Sequence, residues 1–137
     1  MKTILLINDD GIQSLGLLVL KQKLDKSGKV VVIAPIEDTS GIGKAISSAK
    51  YVSIEEVELS DGSKAYAVGG TTADSYLLGV NKILKRSPDL VVTGINIGPN
   101  LGIDDFLSSG TMGAAIEAAI HGVPAVAVAY CKKKISD

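Results

Sequence analysis

Tryptophan is absent from this 137-residue chain, and aromatic residues of all kinds make up only 4% of it. Surfaces that stack the bases of single-stranded nucleic acid need several exposed rings, so the composition argues against that class of function. An excess of charge of one sign is missing too. Fourteen Lys and Arg stand against 15 Asp and Glu, for a formal net charge of −1. Such a chain has no global basic field to draw in a polymeric nucleic acid or an anionic membrane, and neither is an expected partner. Its single cysteine, Cys131, cannot close an intrachain disulfide, which suits a reducing compartment. Long apolar runs are lacking as well. The run that begins at Thr3 stops at Asn8-Asp9-Asp10, too soon for a signal core or a membrane span. The expectation is a soluble, cytoplasmic protein.

What is present is an ordinary globular composition, 46% apolar and 21% charged, in a length that fits one domain with a single core. Thr3 to Ile7 is a continuous apolar run of the kind that forms a strand buried on both faces. Apolar residues at 15, 17, 18, 20 and 24 then follow a helical period, with Ser14 placed as N-cap. Val30 to Ala34 is a second buried strand. After a polar, glycine-containing loop, Val52 to Leu59 and Lys64 to Val68 flank Ser60-Asp61-Gly62-Ser63, a hairpin turn signal. The spacing predicts an antiparallel insertion that can stand off the main sheet. Thr71 or Thr72 caps a helix to about Lys85, and Leu90 to Thr93 is a strand. Gly94 to Ser109 reads as a long Gly- and Asn-rich loop, of a length more often functional than decorative. A helix of small residues spans Gly110 to Ile120, with Gly122 as its stop, and Pro124 to Ala129 is a final buried strand.

Alternating strands and helices, with continuous apolar strands, predict a Rossmann-like, doubly wound α/β fold. Its sheet should be mainly parallel, with an inserted β-hairpin. Ligands bind such folds at the carboxyl ends of the strands. Here those ends carry Asn8-Asp9-Asp10, then 35–43, then Gly94-Ile95-Asn96.

Adjacent carboxylates repel each other, and a hard divalent cation, Mg²⁺ or Mn²⁺, makes the Asp9–Asp10 pair tolerable. The plainer reading is a solvated pair in a βα loop. Ser40 could add a hydroxyl ligand, and Gly41 and Gly43 would let backbone N–H groups approach an anion, though taken alone an ordinary flexible loop is the better reading of them. Asn96 offers an amide oxygen as a further ligand, and Asn100 has a local turn role as its alternative. Ser109-Gly110-Thr111 opens the small-residue helix, whose N-terminal N–H groups and dipole suit a phosphate; Ser109 could also be simply the N-cap. Lys44, His121, Glu117 and Lys132-Lys133-Lys134 read most simply as solvated or helix-end groups.

With these residues laid out, the chain resembles the SurE family of survival-protein nucleotidases. The resemblance rests on six ordered motifs. Ile7-Asn8-Asp9-Asp10-Gly11 comes first, then Ala34-Pro35 through Ser40-Gly41, then Gly69-Gly70-Thr71-Thr72-Ala73-Asp74. Gly94-Ile95-Asn96 with Gly98 and Asn100, then Ser109 to Ala115, then Gly122-Val123-Pro124-Ala125 complete the set. Each motif alone is weak, and all six in order are specific.

The resemblance implies hydrolysis of nucleoside 5′- and 3′-monophosphates with one divalent metal cation. It places the metal on Asp9, Asp10, Ser40 and Asn96, with catalysis carried by Asp9, Asp10 and Asn96. Phosphate contacts fall to Asn8, Gly41, Ser109, Gly110 and Thr111. The Gly69 to Asp74 segment would shape the nucleotide side of the cleft. A homo-oligomer, dimer or tetramer, is implied as well. Family members are usually longer, so residues 1–137 are expected to form a single nucleotidase core lacking the family's C-terminal segments.

Rival readings are a non-catalytic metal- and nucleotide-binding core and a receiver-like signalling domain. A receiver needs a phosphoacceptor Asp where Thr93 runs into Gly94. A dinucleotide-binding oxidoreductase fails on its first turn, where Asn8-Asp9-Asp10-Gly11 stands in place of Gly-x-Gly-x-x-Gly.

Overall fold

The computed structural model describes residues 1–37, 51–97 and 110–130. The expectations for Ser40, Gly41, Lys44, Asn100, Ser109 and Lys132–Lys134 lie outside these residues.

Among the described residues six strands form one sheet: β1 (Thr3–Ile7), β2 (Lys29–Pro35), β3 (Ile54–Glu58), β4 (Lys64–Val68), β5 (Leu90–Ile97) and β6 (Ala125–Tyr130). Their spatial order is β3-β4-β2-β1-β5-β6. All neighbours pair in parallel except β3 with β4, which are antiparallel. The doubly wound, mainly parallel prediction therefore holds.

Side-chain alternation along β1 divides the core in two. Ile4 and Leu6 face α1 (Leu15–Leu24) together with Val32, Ala34 and Val92. Leu5 and Ile7 face the other side, where Ile33, Val68, Val91, Tyr76, Ala114 and Ala118 meet them. That side is covered by α2 (Thr72–Leu78) and α3 (Gly110–Ile120). Leu5, Leu6 and Ile7 are each wholly buried. Burying each such side chain stabilises the fold by about 1.5–3 kcal/mol relative to exposure.

Helix starts obey their local signals. Ser14 caps α1 by accepting from the Leu17 amide at 3.2 Å. Thr71 caps α2 in a reciprocal box. Its hydroxyl accepts from the Asp74 amide at 3.1 Å, and its own amide donates to Asp74 Oδ2 at 2.8 Å. Beyond Leu78 the chain continues as a wider π-helical stretch, Gly79–Leu84, and stops at Lys85 in the left-handed region, φ 56°.

Three expectations need correction. The hairpin does not stand off the sheet: β4 pairs in parallel with β2, so the insertion extends the sheet and puts β3 on its edge. The strand that was expected to end at Thr93 runs to Ile97, because β6 continues to pair with it across a register shift between Thr93 and Asn96. At that shift Gly94 has φ +133°, and a Cβ there would lie 2.3 Å from the Val128 carbonyl oxygen, so only glycine fits. Finally, β6 is not fully buried. Among the described residues it pairs only with β5, and Val126 and Tyr130 are about half exposed.

Among the described residues, no helix is long and apolar enough to cross a membrane.

Candidate active site

Strand order sets where a site can form. The chain builds outward from β1 through β2 to β4 and β3, then returns to the other side of β1 with β5. This reversal opens a crevice beyond the carboxyl ends of β1 and β5, where ligands of such sheets bind. Ile7 pairs in register with Thr93, so Asn8, Asp9 and Asp10 leave β1 beside the segment of β5 that carries Asn96. Asp9 is 2% exposed and Asn96 9% exposed.

A third element closes the crevice. The first turn of α3 lies directly over Asp9, and Thr111 Oγ1 donates to Asp9 Oδ1 at 2.9 Å. Gly110 is what permits that approach. A Cβ at Gly110 would lie 2.8 Å from Asp9 Cβ, 3.3 Å from Asp9 Oδ2 and 3.4 Å from Thr72 Oγ1. Real Cβ atoms do not sit at the first of these distances, so the small residue is required by packing.

The helix start also brings amide N–H groups that have no carbonyl partner within the helix, together with the positive end of its dipole. Carboxylate and anion chemistry thus meet at one place. Thr72, the first residue of α2, donates its hydroxyl to the Gly110 carbonyl at 2.6 Å, which ties α2 to the same turn.

The chain is 46% identical over 125 residues to the 5′-nucleotidase SurE of Methanothermobacter thermautotrophicus, covering 91% of this chain and 48% of that protein. It is 49% identical over 125 residues to the 5′-nucleotidase SurE of a Thermoanaerobacter species, covering 91% and 49%. The family model of survival protein SurE matches residues 4–137. The chain belongs to the SurE family.

A crystal structure of the SurE protein from Aquifex aeolicus superposes with a TM-score of 0.85 at 37% identity, over 97% of this chain and 52% of that one. The chain spans about half the length of the curated relatives it matches.

Apart from Asn8, the described site residues expected from the sequence fall into two groups. Asp9 and Asn96 lie at the carboxyl ends of neighbouring strands, with Asp10 next to Asp9 and partly exposed. Gly110 and Thr111 meet them from α3, but the Thr111 hydroxyl is directed to Asp9.

Asn8, expected among the phosphate contacts, has a wholly buried side chain whose amide nitrogen donates to Gly11 O at 3.1 Å and Ser14 Oγ at 2.6 Å. Its role is to fold the Asp9–Asp10 loop back onto the cap of α1. The cause is strand alternation: Ile7 and Asp9 face α2 and α3, which sends Asn8 to the α1 side.

Two further positions were not legible beforehand. Glu117, expected on a solvated face, is 5% exposed in the face of α3 that packs toward Tyr76. Thr72 was one of two candidate caps for its helix; the cap is Thr71, and the Thr72 hydroxyl reaches across to the Gly110 carbonyl instead.

The donor set fits a hard cation. Asp9, Asp10 and Asn96 offer only oxygen ligands of the kind that Mg²⁺ and Mn²⁺ prefer. The space beside Asp9 Oδ2, which any side chain on residue 110 would enter, is kept clear by Gly110. Among the described residues no group of three His, Cys, Asp or Glu could hold a metal. Any cation here would therefore need amide or hydroxyl oxygens beside the two carboxylates.

Proposed function

We propose that this chain is the core of a divalent-metal-dependent phosphomonoesterase that hydrolyses nucleoside 5′- and 3′-monophosphates. The observation that carries the proposal is the meeting of Asp9 with the first turn of α3, which sets a buried carboxylate against an anion-binding helix start. In this reading Asp9, Asp10 and Asn96, with Ser40, hold one cation, Mg²⁺ or Mn²⁺. Electrophilic charge for the phosphoryl oxygens is the chemistry such a cation supplies when bound.

The chain's own groups supply the rest. Thr111 fixes the rotamer of Asp9 with its hydroxyl and offers its backbone N–H, with that of Gly110, to the phosphate. Ser109 and Gly41 complete the phosphate contacts. The helix N–H groups would hold the phosphate from one side while Asp9, Asp10 and Asn96 keep the cation on the other, so little reorganisation is needed as charge develops on the leaving oxygen. The names of the relatives, 5′-nucleotidase SurE, support the substrate class. A cytoplasmic homo-oligomer completes the proposal.

Phosphate release from a panel of nucleoside 5′- and 3′-monophosphates tests it, with Mn²⁺ or Mg²⁺ and with a chelator. Release should require the metal and fall by roughly two orders of magnitude in Asp9→Asn. Metal-independent release, or full activity in that variant, would end the proposal.

A further inference from the structure

We propose that Thr72 is a positioning residue for the Asp9 carboxylate, acting through the first turn of α3. The proposal rests on the reading above, in which Asp9 is the central ligand of the site.

Three observations build it. The Thr72 side chain is 1% exposed, and its hydroxyl crosses between helices to the Gly110 carbonyl at 2.6 Å. That carbonyl opens α3, where helix geometry already supplies it with the amide four residues on. The Thr72 bond is thus a second donor to an acceptor that the helix itself satisfies. What it adds is location: it sets how far the start of α3 stands from α2.

The backbone that carries Thr72 is tied down by local hydrogen bonds. Thr71 and Asp74 close their reciprocal cap around it, and Ser75 Oγ donates back to the Thr71 carbonyl at 3.0 Å. Behind the cap, a Cβ on Gly70 would stand 2.5 Å from Asp74 Oδ2, so the preceding backbone is packed tightly against the same carboxylate. The Gly70-Thr71-Thr72-Ala73-Asp74 segment, which the family resemblance places at the nucleotide side of the cleft, here forms the seat of α3.

From Gly110 the path to Asp9 is one residue long. Gly110 is in packing contact with Asp9 Cβ, and Thr111 Oγ1 holds Asp9 Oδ1 at 2.9 Å. Hydrogen bonds of this kind weaken steeply as distance and angle drift, and functional groups must be held to within about 0.5 Å. Release of Gly110 from Thr72 lets the first turn of α3 move, and the Thr111 donor moves with it. Thr72 touches neither substrate nor metal in this account.

The test compares Thr72→Val, Thr72→Ser and Thr111→Val with the parent chain. The first readout needs neither metal nor turnover: NMR shifts of the Asp9 side-chain carboxyl carbon and of the Gly110 and Thr111 amides. Thr72→Val should move all three, and Thr72→Ser, which keeps the hydroxyl, should restore them. The second readout is Mn²⁺ affinity by calorimetry. It should weaken roughly tenfold in Thr72→Val and return to within about twofold in Thr72→Ser. In the double variant Thr72→Val/Thr111→Val the affinity should fall no further than in Thr111→Val alone, because both act through one bond.

Thr72→Ala, with a better helix former, replaces the valine variant should that one fold poorly. Unmoved Asp9 and Thr111 signals in a folded Thr72 variant overturn the proposal. Additive losses in the double variant overturn it equally. If the parent chain binds no Mn²⁺, the metal reading above fails, and the NMR comparison still decides whether Thr72 places Asp9.

Discussion

Thr111 Oγ1 and Asp9 Oδ1 lie 2.9 Å apart in space and 102 residues apart in sequence. The bond joins the end of the first strand to the start of the last described helix, both buried. Low dielectric around such a pair makes the bond stronger than in water and its loss more costly.

Replacing Thr111 by valine keeps the shape of the side chain and removes the donor. A buried hydrogen bond to a charged group contributes about 1.5–3 kcal/mol, which corresponds to roughly 10- to 100-fold in whatever depends on Asp9. Metal-dependent phosphate release should fall by that factor in Thr111→Val and remain near the parent level in Thr111→Ser. Steady-state kinetics at saturating Mn²⁺ checks it. Equal activity in parent and valine variant would show that the bond does nothing for the reaction.

Gly110→Ala tests the packing of the same turn. The added methyl would begin 2.8 Å from Asp9 Cβ, and α3 or the β1 loop must shift to admit it. Overpacking of this kind costs about 1–3 kcal/mol, a fall of roughly 3–12 °C in Tm for a chain of this size. Activity should drop further than stability alone accounts for, because the Thr111 donor moves away from Asp9. Thermal unfolding measured beside turnover separates the two effects.

Alkaline stability should depend on Tyr76. Its phenol is 1% exposed and lies at a ring-centroid distance of 5.7 Å from His121. Burial pushes its pKa above the ordinary 10.0, and the charge of Glu117 pushes it the same way. The folded state therefore holds the phenolic proton more tightly than the unfolded chain does. That contribution is fully present below pH 10 and is lost as pH rises through the raised value. Urea midpoints at pH 8 and pH 11 should diverge more for the parent than for Tyr76→Phe. Identical pH dependence in the two would show that Tyr76 does not couple to folding.

Much of the secondary structure was legible because its causes are local. A continuous apolar run makes Thr3–Ile7 a strand, Ser14 and Thr71 cap the residues three positions on, and Asp61-Gly62 turns the hairpin. These signals reach at most four residues along the chain, so sequence alone carries them. The strand from Gly94 to Ile97 escaped notice for a matching reason. Its glycine and polar asparagine look like loop, and only pairing with β6 makes them sheet.

The acidic pair and its place at a strand end could be read from order alone, and so could the α/β layering. Pairwise geometry could not. Alternation along β1 turns the Asn8 amide nitrogen toward Ser14 and the Asp9 carboxylate toward Thr111. Thr72 was a candidate helix cap, and only the packing of α2 and α3 on the same face of the sheet gives its hydroxyl the Gly110 carbonyl.

Local propensities and the run of apolar residues thus specified which elements this chain would make, and that its carboxylates would leave the sheet at one edge. Which side chains then touch depends on strand order, register and the seating of one helix against another. Those are settled by burial summed over the whole core, a quantity that no short stretch of residues contains.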